Sequence, residues 1–401
     1  MKAENLAYQL SLPWGGSGEA ASEPERAEPS PAPVREAPGA SDSGLWGQVF
    51  SKENLTRALK RVEQNKGAPG IDGMTVAELR PYLKGAWSSI RAALDGGTYV
   101  PAPVRQKGIP KPDGGTRYLG IPTVLDRLIQ QALLQGLTPL FDPLFSTSSF
   151  GFRPGRSAHQ AVKRAQAIVR EGYAWAVDLD IEKFFDRVHH DKLMARVARV
   201  VEDRRVLRLI RAYLEAGVMV DGVVVERTEG TPQGGPLSPL LANIMLHDLD
   251  RELERRGHRF VRYADDLTIY VRSRRAGERV MASVSRYLSE VLRLRVNQVK
   301  SAVDRAWKRT LLGFSFYTSA SGIRIRVAQE AYKRCREKLR QLTRRNSGKA
   351  IGEHVRLVNE YLMGWVGYFA LADAGGPLEE LDKWLRHRLR HLLVSRELHR
   401  V

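Results

Sequence analysis

The sequence predicts an α+β fold. Apolar residues recur with a helical period along much of the chain, whereas residues 175–180, 260–263 and 267–271 have the pattern of strands. The last two strand segments are separated only by the tight turn Ala264-Asp265-Asp266, which predicts a strand–turn–strand unit. From Ser301 onward the chain becomes helical and basic, so we expect the strands to be followed by a segment of helices.

The part of the chain before the first of these strands is predicted to be mostly helical. Apolar residues fall on one face from Ser51 to Gln64, and the string from Asn65 to Gly70 breaks this pattern. Strand-like residues flank Lys111–Gly115, which is typical of a hairpin turn. The other helices predicted here are 75–83, 87–94 and 124–136.

Helices are also predicted between and after the strands. The segment from Glu278 to Leu292 is amphipathic, because Val280, Val284 and Leu288 mark one apolar face. The remaining predicted helices are 190–201, 205–215, 239–255, 331–345, 352–370 and 378–396.

Length, charge and cysteine content limit the class of protein. The 401 residues suggest two or three domains at about 150 residues each. The net charge of +19 attracts polyanions, so nucleic acid is the first partner to expect. The single cysteine, Cys335, excludes an internal disulfide and a zinc site built on cysteines. No apolar stretch approaches about 18 residues and no secretory signal is visible, so we expect a cytoplasmic protein without membrane partners.

Charge is distributed unevenly along the chain. Up to Trp46 there are seven acidic and three basic residues within a run of Glu, Pro, Ala, Ser and Gly, so residues 1–45 are predicted to be a disordered tail. Residues 301–401 hold 20 Lys plus Arg against 10 Asp plus Glu. Glu337 is the one acid between residues 331 and 345, which favours phosphate contacts there over a merely solvated face.

Three carboxylates are the candidate catalytic groups. Asp180 ends a strand and Asp265 and Asp266 lie in a turn, so they face one another if the strands are neighbours. Like charges brought together need a cation between them, and oxygen ligands without histidine or cysteine select Mg²⁺ or Mn²⁺. Two such ions serve an in-line phosphoryl displacement. The alternatives are ordinary turn chemistry for the Asp pair and helix capping by Asp180 and Asp186.

Four motifs together resemble a known family. Tyr263-Ala264-Asp265-Asp266 resembles the signature of reverse transcriptases. Gly230–Asn243 looks like their segment that grips the template–primer and frames the nucleotide pocket. Phe150–Ser157 and Ile109–Arg117 match the same family, and all four motifs occur in the family's order.

Two further motifs narrow the resemblance to bacterial group II intron reverse transcriptases. Asn65–Gly73 looks like their N-terminal extension, and Gly364–Phe369 resembles their maturase, or thumb, domain. Many of these proteins end in a DNA-binding segment and an endonuclease rich in Cys and His, whereas this chain stops at Val401. The chain therefore resembles the compact type that lacks the endonuclease domain, similar to group IIC, or a domesticated relative that has left its intron.

The resemblance implies a right-hand polymerase with fingers, a palm that carries an antiparallel sheet, and an all-helical thumb. It implies three regions: the tail at residues 1–45, fingers and palm with the N-terminal extension at 46–320, and the thumb or maturase domain at 321–401. The implied activity is RNA-directed DNA synthesis, in which a primer is extended with deoxynucleoside triphosphates.

The same resemblance assigns the metal ligands. Asp180, Asp265, Asp266 and the main-chain carbonyl of Ile181 would hold two Mg²⁺ ions, with Mn²⁺ as the substitute. Asp180 is preferred to Asp178 because it matches the family's spacing to the phenylalanine at position 185.

Five residues are implied to bind the incoming nucleotide. Lys111 and Arg117 would hold the triphosphate, since cations complement its charge and Arg can bind phosphate through two bonds. Phe185 would exclude a 2′-hydroxyl, and Gln233 would touch the nucleotide or the template. Lys300 matches a position proposed to protonate the leaving pyrophosphate. The alternatives are a core position for Phe185 and a solvated surface position for Lys300.

The implied partners are an RNA template, a DNA or RNA primer and a structured intron RNA. Arg334, Arg340, Arg344 and Arg345 are the candidate RNA contacts, through which the protein would assist splicing and mobility. Other functions remain open at this point. The protein could act mainly as an RNA-binding splicing maturase, or as a standalone reverse transcriptase in phage defence, DNA repair or CRISPR adaptation. An RNA-dependent RNA polymerase is a weaker alternative.

Overall fold

The computed structural model of the chain describes residues 44–110, 115–220, 223–225, 229–231, 234–344, 349–373 and 375–397. These residues fall into two compact units, 44–328 and 329–397. Of the predicted tail, only its last two residues are among those described. The proposed domain boundary between residues 320 and 321 falls in the turn of a strand pair that belongs to the first unit.

The first unit mixes helices and strands, which confirms the predicted α+β fold class. Its strands are β1 (Val104–Pro110), β2 (Thr116–Ile121), β3 (Trp175–Leu179), β4 (Val218–Val220), β5 (Val223–Val225), β6 (Arg259–Tyr263), β7 (Asp266–Val271), β8 (Ala302–Arg305), β9 (Phe314–Ser319) and β10 (Gly322–Val327). Its α-helices are α1 (Leu45–Val49), α2 (Lys52–Asn65), α3 (Val76–Asp95), α4 (Val124–Phe141), α5 (Ala158–Arg170), α6 (His190–Val197), α7 (Arg204–Glu215), α8 (Ser238–Arg255) and α9 (Arg274–Glu290).

Two helix predictions are wrong because a glycine does not end a helix that packing supports. The sequence predicts two helices at 75–83 and 87–94, whereas α3 runs without interruption through Gly85. An interior glycine costs only about 1 kcal/mol relative to alanine. Helix α4 likewise continues past Gly136, where α1 approaches so closely that a Cβ would lie 2.6 Å from Val49 Cγ2.

The predicted hairpin around Lys111–Gly115 is confirmed in its strands. Strands β1 and β2 pair antiparallel with Pro110 opposite Thr116, and residues 111–114 of the turn lie outside the described residues. The hairpin belongs to a sheet with the order β2-β1-β4-β5. The strands β4 and β5 have no counterpart in the sequence prediction, because at three residues each they are too short for a periodic pattern. Strands β8, β9 and β10 also have no counterpart, so the expectation of a helical chain from Ser301 onward is wrong up to residue 327.

A second sheet has the order β6-β7-β3-β8, and all its neighbouring strands are antiparallel. The predicted strands at 175–180, 260–263 and 267–271 match β3, β6 and β7 to within one residue at each end. Helix α9 packs on this sheet. Its Gly277 lies so close that a Cβ would come 2.5 Å from Val303 Cγ1 of β8. The main core lies between the sheet and its helices.

The second unit consists, in its described residues, of helices. They are α10 (Gln329–Leu342), α11 (Ile351–Phe369) and α12 (Gly375–Glu397), close to the three helices that the sequence predicts. Cys335 and Leu339 are buried on one face of α10. The hydroxyl of Tyr332 donates to the Pro377 carbonyl at 2.9 Å and so ties α10 to the start of α12. In the described ranges of the whole chain, the helices are too short or too polar to cross a membrane.

Candidate active site

One end of the β6-β7-β3-β8 sheet gathers carboxylates. The antiparallel register pairs Leu179 of β3 with Leu267 of β7. Asp180, the residue after β3, therefore stands opposite Asp266, the first residue of β7. Because side chains alternate along a strand, Asp178 and Asp180 share one face of the sheet with Asp266. The two strands that carry the predicted carboxylates are thus direct neighbours.

A cavity of about 230 Å³ opens at this end of the sheet. Asp178, Asp180 and Asp266 line it from the strands, while Lys300 and Arg309 bring positive charge to the same space. A ligand in this cavity meets both signs of charge at once. Such a lining suits a phosphate that is neutralised in part by cations and in part by a bound metal ion.

Asp265 lies in the two-residue turn between β6 and β7. Tyr263 pairs with Asp266 across the turn, so Ala264 and Asp265 are its central residues. Ala264 has a left-handed backbone with φ of 58°, which costs a residue with a Cβ about 1 to 2 kcal/mol. The loop at Gly151 packs so tightly here that a Cβ would lie 2.3 Å from the Ala264 nitrogen. The surrounding structure therefore holds the turn in a strained shape.

The turn carboxylates resist ionisation. Loss of water, together with the negative charges of Asp265, Asp178 and Asp180, raises the pKa of Asp266 to about 7. Loss of water also raises the pKa of Asp265, and the positive charge of Arg117 opposes that rise. Asp266 is nevertheless exposed to solvent. The cluster carries negative charge that the protein only partly compensates.

Asp178 and Asp180 are held in different ways. The Arg309 guanidinium donates to Asp178 Oδ2 from Nη2 at 2.7 Å and from Nε at 3.2 Å. For Asp180 the main chain is fixed, because its N–H donates to Ser301 Oγ at 3.0 Å and its carbonyl accepts from the Asn297 N–H at 2.8 Å. Asp178 is therefore matched by an arginine in an ion pair, whereas the position of Asp180 is set by its backbone.

The chain after Asp180 does not form the helix that the capping alternative requires. Residues Phe184–Asp186 form a single 3-10 turn, and the next α-helix begins at His190. The interpretation of Asp180 and Asp186 as helix caps is therefore wrong. Ile181 is buried directly beside Asp180, and its flanking main-chain groups are bonded to the segment at 295–297. Its own carbonyl takes no part in those two bonds.

The donor set fits a hard divalent cation. Asp180, Asp265 and Asp266 offer carboxylate oxygens, which Mg²⁺ and Mn²⁺ prefer, and a cation would relieve the repulsion within the cluster. Among the residues that the structure describes, no three His, Cys, Asp or Glu side chains converge closely enough to enclose an ion. The chemistry of the ligands, rather than a finished metal cage, is what points to a metal here.

Phe185 lies in the 3-10 turn and is 9% exposed, with its ring 5.2 Å from the ring of Phe184. Its carbonyl accepts a hydrogen bond from the Thr231 N–H at 2.6 Å. Gly234 packs on β2, where a Cβ would lie 2.5 Å from the Gly120 carbonyl oxygen. The residues on either side of 232–233 therefore contact Phe185 and the β1–β2 hairpin. Gln233 itself lies outside the described residues.

Of the other predicted nucleotide contacts, the structure describes Arg117 and Lys300 but not Lys111. Arg117 is exposed on β2, and its charge acts on Asp265, so β2 lies on the side of the carboxylates. Lys300 is exposed and lines the cavity. Lys111 lies outside the described residues. Arg117 and Lys300 thus lie near the carboxylates, Phe185 packs against the segment at 230–231, and Lys111 and Gln233 are not described.

The predicted RNA contacts belong to the second unit. Arg334, Arg340 and Arg344 are exposed, and Arg345 lies outside the described residues. The Arg340 guanidinium carbon lies 5.9 Å from the centre of the Trp384 ring. Two arginines that the prediction omits are closer to this ring: Arg336 at 4.9 Å and Arg388 at 5.3 Å.

Sequence reasoning missed a group of buried polar residues that surrounds the carboxylate turn. Arg262 of β6, Asp250 and Asn243 of α8 all have side chains with no exposed surface. A signal was present, because an arginine inside the otherwise apolar string Phe260–Tyr263 needs a buried partner. The helix that precedes this strand offers four acids, Asp248, Asp250, Glu252 and Glu254, and the sequence does not choose between them.

Comparison with known proteins gives a consistent result along the chain. A family model described as "Reverse transcriptase (RNA-dependent DNA polymerase)" matches residues 109–316, about half of the chain. A second model, described as "Group II intron, maturase-specific domain", matches residues 332–398. The first range contains the carboxylates, and the second covers most of the helical unit.

Curated relatives match over about half of this chain. Protein YkfC of Escherichia coli K12 is 37% identical over 214 residues, which are 52% of this chain and 56% of YkfC. The group II intron-encoded protein LtrA of Lactococcus lactis subsp. cremoris is 39% identical over 204 residues, which are 48% of this chain and 32% of LtrA. A solved structure titled "Partial Cas6-RT-Cas1–Cas2 complex" is 26% identical, with a TM-score of 0.41 over 64% of this chain and 45% of that chain.

Proposed function

The chain belongs to the reverse transcriptase (RNA-dependent DNA polymerase) family, and from this premise we propose that it is an RNA-directed DNA polymerase of the group II intron type. It extends a DNA or RNA primer with deoxynucleoside triphosphates on an RNA template. The observation that carries the proposal is the pairing of β3 with β7, which sets Asp180 opposite Asp266 beside the turn of Asp265. The site of the reaction is this end of the sheet, in the bacterial cytoplasm.

The proposed reaction is a nucleotidyl transfer. The primer 3′-oxygen attacks the α-phosphorus of the incoming triphosphate, one P–O bond forms, the bond to the β-phosphate breaks, and pyrophosphate leaves. Reverse transcriptases generally depend on divalent metal ions. Two Mg²⁺ ions would supply charge stabilisation for the attacking and leaving oxygens. Asp180, Asp265 and Asp266, with the Ile181 carbonyl, are the residues of this chain that would hold them.

Five residues are the proposed nucleotide contacts. Arg117 on β2 neutralises phosphate charge, with Lys111 of the same hairpin as its partner in that role. Phe185 limits space at the sugar, and Gln233 contacts the nucleotide or the template. Lys300 lines the cavity beside Asp180, which supports its proposed role as the proton donor to the leaving pyrophosphate.

A second part of the proposal concerns intron RNA. The match of residues 332–398 to the group II intron maturase-specific domain favours a splicing role over a standalone enzyme. The proposed phosphate contacts are Arg334, Arg340 and Arg344, which are exposed on and after α10, and Arg345, which lies outside the described residues. Phosphate contacts supply most of the affinity of proteins for nucleic acid and make it depend on salt.

Primer extension tests the polymerase part of the proposal. The purified chain is expected to extend oligo(dT) on poly(rA) with dTTP when Mg²⁺ is present, and to stop when the metal is chelated. Asp265→Ala should abolish extension, whereas Glu290→Ala, which removes an exposed acid at the end of α9, should not change it. A wild-type chain that binds the duplex but adds no nucleotide would contradict the proposal.

Binding to RNA tests the maturase part. Affinity is expected to be higher for a group II intron RNA than for an unstructured RNA of equal length at the same salt concentration. Equal affinity for both would leave the polymerase in place and remove the support for a splicing role.

A further inference from the structure

We infer that Arg262 is a positioning residue, which holds the turn of Asp265 and Asp266 in its working shape together with Asp250 and Asn243. The inference rests on the proposed polymerase function. It states that the shape of the turn depends on these three residues and not on the carboxylates alone. Arg262 touches no reacting atom in this assignment and acts through the main chain of the turn.

The first observation is a buried ion pair below the turn. The side chains of Arg262 on β6 and Asp250 on α8 are both 0% exposed. Arg262 donates from Nε to Asp250 Oδ1 at 2.7 Å and from Nη2 to Oδ2 at 2.5 Å. Two parallel bonds fix the orientation of the guanidinium plane, which a single bond cannot do. Helix α8 therefore aims this side chain.

The second observation is where the remaining nitrogen points. Arg262 Nη1 donates to the carbonyl of Ala264 at 2.8 Å and to Asn243 Oδ1 at 2.8 Å. Ala264 is the left-handed residue of the turn, directly before Asp265. Asn243, which is also fully buried, donates from Nδ2 to the Gly151 carbonyl at 2.9 Å. The guanidinium thus binds the strained residue itself.

The third observation is a second set of hydrogen bonds, made by the main chain of Arg262, that holds the same turn. The Arg262 N–H donates to the Ser148 carbonyl at 2.9 Å, and the Arg262 carbonyl accepts from the Phe150 N–H at 2.9 Å. This pairing brings Gly151 against the turn, where a Cβ would lie 2.3 Å from the Ala264 nitrogen. Asn243 connects the side-chain and main-chain contacts, because it accepts a hydrogen bond from Arg262 and donates one to the Gly151 carbonyl.

General stability alone gives a weak reason for this arrangement. Burying two charges removes their hydration, and well-packed apolar residues of similar volume often serve stability as well as a buried ion pair does. A fork of charge-assisted bonds adds fixed direction, which apolar packing lacks. Here the fixed orientation directs Arg262 Nη1 to the carbonyl of Ala264, the residue before Asp265. Residues that orient metal ligands in this way typically affect metal affinity or activity by about 10- to 100-fold when they are changed.

Three variants test the inference. Arg262→Lys keeps the buried charge but cannot bind Asp250 through two bonds and also reach Ala264. Asn243→Ser leaves the ion pair intact and breaks the connection to Gly151. Arg196→Lys is the matched control, because Arg196 is 8% exposed and pairs with Asp248 of the same helix at 2.9 Å without contacting the turn. Circular dichroism and thermal unfolding report whether each variant is folded.

Three quantities are measured on each folded variant, and the third of them is the KM for the template–primer. The first is the maximal rate of primer extension with its Mg²⁺ dependence, and the second is the dissociation constant of Mn²⁺ for the protein without nucleotide, measured by electron paramagnetic resonance of free Mn²⁺. For Arg262→Lys and Asn243→Ser we expect the maximal rate to fall and the Mn²⁺ dissociation constant to rise, each by about 10- to 100-fold. The KM for the template–primer should stay within about twofold, and the control should match the wild type.

The outcomes separate this inference from the proposed function. If the wild type extends primers and the two folded variants match it in rate and in Mn²⁺ affinity, the positioning role is wrong. If both variants fail to fold while Arg196→Lys folds, Arg262 is a stability residue and the inference is also wrong. If the wild type adds no nucleotide, the proposed function fails, and the Mn²⁺ comparison still decides whether Arg262 positions the carboxylates.

Discussion

The carboxylate end of the β6-β7-β3-β8 sheet and the basic helix α10 carry their charges in opposite ways. At the sheet end, Arg262, Asp250 and Asn243 are wholly buried and bonded across long sequence distances. On α10, Arg334 and Arg340 are exposed on one helix. Several hydrogen bonds hold each group at the sheet end, whereas the arginines of the helix are long side chains at the surface.

This difference indicates how each region tolerates change. A site that performs chemistry needs its groups within fractions of an ångström of their positions, so a single substitution there is expected to be severe. A surface that binds phosphates adds many similar contributions, so single substitutions are expected to be mild and to depend on salt. The predictions below run from the largest expected effect to the smallest.

Removal of a proposed metal ligand should have the largest effect. Asp180→Ala and Asp265→Ala are each expected to lower the rate of nucleotide addition by on the order of 10²- to 10³-fold or more, since charge that stabilises the transition state is lost. Duplex binding should persist, because distant Lys and Arg supply most of the attraction. The measurement is single-turnover primer extension together with a binding assay. Extension at the wild-type rate by either variant would remove the assignment.

Asp178 offers a comparison within the sheet end itself. Asp178 is paired with Arg309, so Asp178→Asn should reduce nucleotide addition by less than about tenfold, whereas Asp180→Asn should reduce it as strongly as Asp180→Ala. Both variants exchange an oxygen for a nitrogen on neighbouring positions of the same sheet face, so they are matched in size and chemistry. Equal losses would mean that Asp178 also takes part in the reaction.

Phe185 tests selection of the sugar. If its ring blocks a 2′-hydroxyl, Phe185→Ala should raise ribonucleotide over deoxynucleotide incorporation by roughly 10- to 100-fold, the range over which an apolar pocket rejects an added hydroxyl. Phe184→Ala is the control, because Phe184 is buried and in contact with Phe185. The ratio of the two incorporation rates is measured on each folded variant. A ratio unchanged in Phe185→Ala, or raised equally in both, would make Phe185 a core residue only.

The arginines after Gln329 should give the smallest change in chemistry. Changing Arg334, Arg340, Arg344 and Arg345 together to Gln should reduce the slope of log affinity against log salt for intron RNA by about 3, since each phosphate contact contributes about 0.7 to 0.9. The control changes exposed arginines that are already paired with acids, namely Arg80, Arg251, Arg255 and Arg274. An equal reduction for a short template–primer duplex would mean that these helices act only as a polymerase thumb.

The sequence predicts well what depends on local pattern. The alternation in Trp175–Leu179 and the apolar strings around Asp265 locate β3, β6 and β7 to within a residue, and the Asp pair in a tight turn follows from them. The assignment to reverse transcriptases is confirmed by the family match over residues 109–316. These strands, the turn and the family motifs each depend on residues that are contiguous in the sequence.

What depends on distant contacts could not be predicted in the same way. The hydrogen bonds from Arg262 to Asp250 and Ala264 join residues of a helix, a strand and a turn, and no rule of sequence spacing predicts them. The pairing of Asp178 with Arg309 spans 131 positions. Helix α3 is continuous through Gly85 because packing outweighs a local preference. Tertiary structure decided each of these points.

The most direct test of the account measures two properties on two variants. Asp265→Asn is expected to lose nucleotide addition and to keep its affinity for intron RNA within about twofold of the wild type. The variant with the four arginines at 334, 340, 344 and 345 changed to Gln is expected to lose RNA affinity and to keep its rate on a saturating, pre-annealed duplex. Loss of one property in each variant, with the other property kept, would support different residues for chemistry and for RNA binding. Parallel loss of both properties in both folded variants would contradict the account.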